Sequence, residues 1–506
     1  MKLVLKLYNT LIKLNPIQLS YQLKNRFFKS KYQNKKSKID NISFFNYFSI
    51  LKENLLDNLQ FSFLNLEHKF VDWNFKDYGM LWAYNLNYMD WLNQTGMSYE
   101  EGEKWINRFI EELPNNKIGL DPYPIALRTI NWIKFISRYQ SLLSQDILKK
   151  WNDSLYSQLY HLNKTLEYHL LGNHLLEDAY ALYIGASYFN DEKLLNKASK
   201  LLKKQLKEQI LPDGAHFEQS PMYHSIMLDR LLDCININRN DELISYARYM
   251  LGHLQSLVWK DGSIPLLNDS AYKIAPSSKE LFEYANRLDI DWQPIRLVDS
   301  GYRKFFNGRI ETIIDIGNIT ASYQPGHTHA DTFNFELRVD GKPFIIDTGI
   351  STYEKNARRQ YERSTKAHNT VTPQDEKDSS EVWGGFRVGK RAKVKIFEDS
   401  SHKVRASHNG YGKRLTHERS FEINDNEFIV TDNFPGEGIA WLHFSPDVDL
   451  TIEDNIIKTS LINIKFTGAN SIQIIDEFAS TEYNILEKIK VAKIYFSNSL
   501  QTVFSF

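Results

Sequence analysis

The hydrophobic period of this chain changes once, near residue 300, and that change restricts the fold to a helical part followed by a sheet part. From about residue 60 to 295, apolar residues recur at helical spacing in WINRFIEEL (from Trp105), IALRTINWIKFISRYQSLL, LLEDAYALYIGASYF and ELISYARYMLGHLQSLVW. Turn signals such as LPDG and KDGS separate these runs. From Ile310 onward the period becomes two, in FNFELRVDG, KPFIIDTG, ERSFEINDNEFIVTDNF and SIQIIDEF. The pattern predicts an all-α domain and then an antiparallel β domain, most simply a sandwich. At 506 residues the chain has room for two to four cores on a prior of roughly 150 residues each. The expected boundaries are an N-terminal helical segment over 1–60, a helical domain over 61–298 and a sheet domain over 299–506.

Lys+Arg and Asp+Glu both number 62. A balanced chain argues against a bulk nucleic-acid binder but leaves room for a local basic cleft that takes an acidic polymer. The only cysteine is Cys234, so no disulfide forms within one chain. Lys2, Lys6 and Lys13 interrupt the apolar N-terminal run, and neither a signal-peptide core nor a cleavage site follows. No stretch has the length of a transmembrane helix. These features lead us to expect a cytoplasmic or inner-membrane-associated protein. Its first residues read as an amphipathic helix that packs on the protein's own body in preference to a membrane surface.

Three constellations carry chemistry. In Gly172–Asp178, Asn173 reads as an N-cap, His174 opens the helix, and Glu177 lies one turn on, with acidic residues in the first turn. In Asp213–His224, Ser220-Pro221 reads as N-cap and N1, which puts Tyr223 in the first turn, where the helix dipole favours a phenolate. Each of these, taken alone, is also explained by capping and core packing. The third is Gly326–Asn369, with His327, His329, Asp331, Asp347 and His368 on what reads as a hairpin and the loop after it. Phe333–Val339 alternates, Asp340-Gly341 turns, and Pro343–Ile346 resumes the strand. His-x-His-x-Asp invites a metal reading, with Asp347 and His368 as further donors of a type that suits zinc. A second reading splits the pair, so that one histidine is catalytic and the other binds metal.

In this order, GNHLLEDAYAL, DGAHFEQSPMYH, GHTHADTFNFELRVDGKPFIIDTG and RSTKAHNTV resemble the heparinase II/III-type polysaccharide lyases. LWAYNLNYMDWL and DPYPIALRTINWIKF upstream are also similar to family segments. The resemblance implies an incomplete (α/α) toroid followed by an antiparallel β-sandwich. It also implies β-elimination on a uronate-containing acidic polysaccharide. On it, Asn173 and His174 would hold the substrate carboxylate, with Glu177 orienting His174. Tyr223 would be base, acid or both, and His327 a second proton-transfer group. His329, Asp347 and His368 would be ligands of a structural zinc. Arg128, Trp132, Glu218, Arg358, Arg359 and Arg363 are expected to bind substrate. The other readings are a non-catalytic glycan-binding or processing protein of a capsule or exopolysaccharide pathway and a metal-dependent glycan hydrolase.

Overall fold

The computed structural model describes residues 2–28, 30–37, 42–46, 53–56 and 59–505. Parts of the expected 1–60 segment, namely residues 1, 29, 38–41, 47–52 and 57–58, lie outside the described residues. Between Tyr99 and Leu257 the helices alternate in character. Pro122–Arg138, Gly172–Tyr188 and Pro221–Ile237 are buried almost all round, and in Gly172–Tyr188 every residue but His174 is buried. Tyr99–Glu112, Gln145–Thr165, Glu192–Gln209 and Asp241–Leu257 bury one stripe each. A helix apolar on all sides needs cover on all sides, whereas a single stripe suits an outer ring. Inner and outer helices therefore alternate along the chain as an incomplete toroid.

Ser98, Ser144, Asp191, Ser220, Asn240 and Ser277 cap their helices by accepting backbone N–H groups of the first turn. Gly172–Tyr188 departs from the sequence expectation. It starts one residue before Asn173, after Leu171, with no side-chain cap and no acidic residue in its first turn. Asn173 is thus inside the helix and Glu177 is in the second turn. The physical reason is that a distant carboxylate does the capping: Glu218 Oε1 accepts the Asn173 N–H at 2.8 Å. Gly172, at φ 57°, turns the chain into the helix.

The sheet domain has two antiparallel layers. Nine strands run in the spatial order Val394–Asp399, Lys403–His408, His417–Ile423, Glu427–His443, Glu487–Ser505, Asn463–Ala479, Ile456–Thr459 and Leu450–Glu453, with Val371–Pro373 beside Glu427–His443. The second layer is Tyr302–Phe306, Ile310–Asp315, Phe335–Val339 and Lys342–Ile345. Phe305, Ile314, Phe335 and Leu337 of this layer share a core with Val404, Phe421, Phe428 and Phe504 of the other. The second layer has no wet face. Polar residues of the alternating strand Phe335–Val339 point at the helical domain: Glu336 accepts the Leu266 N–H at 2.6 Å, and Arg338 donates to Asp261 and Ser263 at 2.6 and 2.7 Å. His327 and His329 lie in the loop before this hairpin rather than on it, and Asp347 and His368 follow it.

At the N-terminus, Lys2–Leu11 and Pro16–Phe27 form two short helices. They rest on the body by polar contacts and leave most of their apolar side chains exposed, the reverse of the expected packing. Among the described residues no helix is long and apolar enough to cross a membrane.

Candidate active site

A cleft of about 440 Å3 lies where the toroid meets the four-stranded layer, and Asn173, His174, Tyr223 and His327 all line it. Two loop–helix junctions, at Gly172 and Pro221, and the two loops that carry Asn268 and His327 build it. Leu171, Gln219 and Asn268, immediately before or near the site residues, all have a positive φ, at 60°, 56° and 56°. Such conformations cost on the order of 1–3 kcal/mol each for residues other than glycine and survive only where neighbours fix them. Here the Gln219 carbonyl accepts from Asn268 Nδ2 at 3.0 Å and from the Tyr302 hydroxyl, and Gln219 Nε2 donates to the Ser300 carbonyl at 2.7 Å.

His327 is the hub. Its Nδ1 faces Asp269 Oδ2 at 2.8 Å, and its Nε2 faces Asn173 Nδ2 at 3.3 Å and Glu218 Oε2 at 3.4 Å. The Tyr223 ring stacks on the imidazole with centroids 3.8 Å apart. Asp269 is fully buried, and burial alone would raise its pKa. The Arg359 guanidinium outweighs that and, with the two histidines, holds the carboxyl well below its usual range. An ionised Asp269 can only accept, so His327 carries a proton on Nδ1, and in the neutral imidazole Nε2 is then the nitrogen that accepts from Asn173 Nδ2.

His174 is the one residue of its helix that is not buried, with its side chain 29% exposed. Its Nδ1 bonds Glu167 Oε2 at 3.0 Å, and Tyr123 packs on the ring. Burial works to lower its pKa, but the Glu167 carboxylate wins and raises it. The residue that orients His174 is therefore Glu167, not Glu177. Glu177 is buried without a hydrogen bond, 3.7 Å from Arg230, and burial pushes it up to about 7. Tyr223 also differs from expectation. Its N–H reaches the Ser220 cap at 3.2 Å, but burial raises the phenol pKa, so the helix end does not yield a phenolate. The hydroxyl pairs with Tyr353 at 3.2 Å.

The expected substrate-binding residues are mostly structural. Arg128 is fully buried and donates to Gln158, the Asn87 carbonyl and the Gly119 carbonyl at 2.7, 2.8 and 2.6 Å. Trp132 is fully buried against Met89 and Phe109. Arg358 is held by Glu362 and the Phe478 carbonyl, and Arg363 by the carbonyls of Thr328 and Gly385. Arg359 grips Asp269 through both terminal nitrogens. Each guanidinium is consumed by carbonyls or carboxylates within the fold, so none faces the cleft. Glu218 is at the site, but as the anchor of Asn173, which donates to it from Nδ2 at 2.9 Å. Residues not foreseen are Asp269, Glu167, Tyr353, Tyr123 and Arg230. Asp269 sits in the polar run Asn268-Asp269-Ser270 after an apolar stretch, and that break in character was its only signal.

The three expected zinc ligands are buried behind the cleft. His329 Nε2 meets Asp269 Oδ1 at 2.8 Å, and His368 Nδ1 meets Asp347 Oδ2 at 2.8 Å. Each carboxylate thus takes one ring N–H and leaves the other nitrogen, His329 Nδ1 and His368 Nε2, buried with no partner. That is the tautomer a metal-binding imidazole needs, so the donor chemistry fits zinc. Asp347 acts here as the partner of His368, while the carboxylate oxygen without a partner is Asp331 Oδ2. Among the described residues no three such groups are arranged around a common point.

A helical toroid set on an antiparallel sandwich, with an imidazole–phenol pair in the seam, is one architectural class. The solved structure of Heparinase III shares this fold at TM-score 0.68 and 15% identity, covering 96% of this chain and 89% of that one. Heparan sulfate lyase from Pedobacter heparinus does so at TM-score 0.59 and 17% identity, covering 97% and 87%. The Heparinase II/III N-terminus model matches residues 18–285, and the Heparinase II/III-like, C-terminal model matches residues 290–495. The chain belongs to the heparinase II/III family. In sequence it is 23% identical to heparin-sulfate lyase of Pedobacter heparinus over 415 residues, 72% of this chain and 58% of that protein. It is 24% identical to heparin-sulfate lyase of Bacteroides stercoris over 318 residues, 55% of this chain and 46% of that protein. The chain spans about half the length of the curated relatives it matches.

Proposed function

We propose that this protein is a polysaccharide lyase that cleaves a uronate-containing acidic polysaccharide by β-elimination. The observation that carries the reading is the stacked His327–Tyr223 pair, with the imidazole tautomer set by Asp269. The proton at C5 is weakly acidic because the adjacent carboxylate is already charged, so the site must offset that charge, take the proton and protonate the leaving oxygen. His174, whose pKa is raised, meets the carboxylate, and Asn173 turns the Nδ2 hydrogen that it points at His327 toward it as substrate enters, which frees the imidazole nitrogen. His327 Nε2 takes the C5 proton, the C4–C5 double bond forms, and the C4–O bond breaks. Tyr223, kept protonated by burial, gives its proton to the departing glycosidic oxygen. Proton transfer from His327 then restores Tyr223, so no water is consumed and one chain end becomes an unsaturated uronate.

The charged lining is nearly balanced, with Lys134, His174 and Arg230 against Asp90, Asp229 and Glu354. This supports a polymer whose charge is the uronate carboxylate in preference to dense sulfate. Zinc, held by His329 and His368 with a carboxylate, would fix the loop that carries His327 and would take no part in the proton transfers. His329, Asp347 and His368 do not line the cleft, which weighs against a metal-centred hydrolase.

The test is incubation with a panel of sulfated and unsulfated uronate polymers, read by ultraviolet absorbance of the conjugated product. Absorbance should rise most on unsulfated polymer and be lost in Tyr223→Phe and His327→Ala. New reducing ends without that absorbance would mean hydrolysis, and binding without product would mean a glycan-binding protein.

A further inference from the structure

The two N-terminal helices present their apolar side to solvent. Nearly half of the exposed large apolar side chains among the described residues fall between Leu3 and Phe28. In Lys2–Leu11, Asn9 and Thr10 face the protein: Asn9 Nδ2 donates to Glu381 at 3.3 Å, and Thr10 Oγ1 accepts from the Trp383 indole at 3.2 Å. In Pro16–Phe27 the buried residue is Gln18, whose Nε2 donates to the carbonyls of Leu170 and Tyr323 at 2.9 and 3.3 Å. On the side away from Gln18, Leu19, Leu23 and Phe27 recur every four residues and form one stripe, 40%, 60% and 73% exposed.

A helix that merely rests on its own domain turns its apolar stripe inward, because that burial drives the contact. Here the polar side docks and the apolar side is left for something else. Charge identifies what that is. Residues 1–39 hold ten Lys and Arg and no Asp or Glu, in a chain whose total charge is zero. Lys24 and Arg26 are exposed on the same helix as the stripe, and Lys13, Lys31 and Lys36 are exposed elsewhere in this segment. Exposed apolar side chains flanked by cations, on helices too short to span, match the interface of an anionic bilayer. A second copy of this chain would bring two like-charged surfaces together. The same contacts fix the orientation, because Gln18 is tied to the loops that lead to Asn173 and to His327.

We infer that the helical pair Lys2–Phe28 is a monotopic membrane anchor that holds the toroid and sandwich against an anionic phospholipid surface. The inference does not depend on the proposed reaction. The test is co-sedimentation of the full chain with phosphatidylglycerol/phosphatidylcholine vesicles and with pure phosphatidylcholine vesicles. Binding should be at least tenfold tighter to the anionic vesicles and should weaken as salt is raised. The doubles Leu23→Asp/Phe27→Asp and Lys24→Glu/Arg26→Glu should each lose at least tenfold in binding. Both should keep the parent melting temperature and parent turnover of soluble polymer, since neither touches the cleft. Equal sedimentation with and without vesicles overturns the inference. So does a stable dimer that ignores vesicles and becomes monomeric in Leu23→Asp/Phe27→Asp, which would give the stripe to a second copy.

Discussion

At the residue scale, the site depends on one carboxylate that substrate would never touch. Asp269 accepts from His327 Nδ1, from His329 Nε2 and from both terminal nitrogens of Arg359. Asp269→Asn keeps the shape but offers one acceptor and one donor where there were two acceptors. One imidazole must then change tautomer. On the proposed mechanism kcat should fall by about a hundredfold or more with KM changed only a few-fold, because the carboxylate would orient the base and not bind polymer. Steady-state kinetics on a polymer from the panel checks this, and an equal loss in KM would assign Asp269 a binding role. The sequence does not show this residue because its partners lie 58, 60 and 90 positions away and nothing periodic marks it. The reverse holds for Arg358, Arg359 and Arg363. Their charge is visible in the sequence, but its direction is not, and the fold points all three at carbonyls and carboxylates of its own.

At the scale of the element, Gly172–Tyr188 shows how burial reassigns a motif. The run Gly172-Asn173-His174 is legible because it opens an apolar helix, yet the start of that helix is fixed by Glu218 from another loop. A Cβ at Gly172 would collide with Glu218 Oε1 and would sit on a positive φ. Gly172→Ala should therefore lower turnover more than it lowers the melting temperature, because Glu218 must leave Asn173. Three residues past His174, the Glu177 carboxyl is raised from 4.5 to about 7 by burial. A carboxyl with a raised folded-state pKa is tolerated while protonated and destabilises the fold as pH climbs from its unfolded value through its folded one. Glu177→Gln should thus leave stability unchanged at pH 4 and raise it by on the order of 1–3 kcal/mol at pH 8. Denaturant melts at the two pH values measure the difference, and a loss at pH 8 would show that the Arg230 contact outweighs burial.

For the whole molecule, the switch of period near residue 300 foretells two domains but not that the candidate site needs both. Asn173, His174 and Tyr223 come from the toroid and His327 from the loop that leads into the four-stranded layer. The strand Phe335–Val339 alternates apolar and polar residues, and its polar face joins the domains, because Glu336 and Arg338 find partners across the seam. Arg338 is 5% exposed, donates to Asp261 and Ser263, and packs on the Trp259 ring at 4.7 Å. Asp261 is more than half exposed, so solvent screens part of the ion pair, and the buried stem and ring contact carry much of the effect. Arg338→Ala should cost about 1–3 kcal/mol of stability. Because the seam also sets the distance between His327 and Tyr223, turnover should fall further than the unfolded fraction explains. Arg338→Lys keeps the charge and loses the fork and the stack, so it should recover only part of either loss. Calorimetry alongside kinetics on the same samples separates the two effects. If activity tracks the folded fraction alone, the toroid and the sandwich each hold their half of the site without help from the seam.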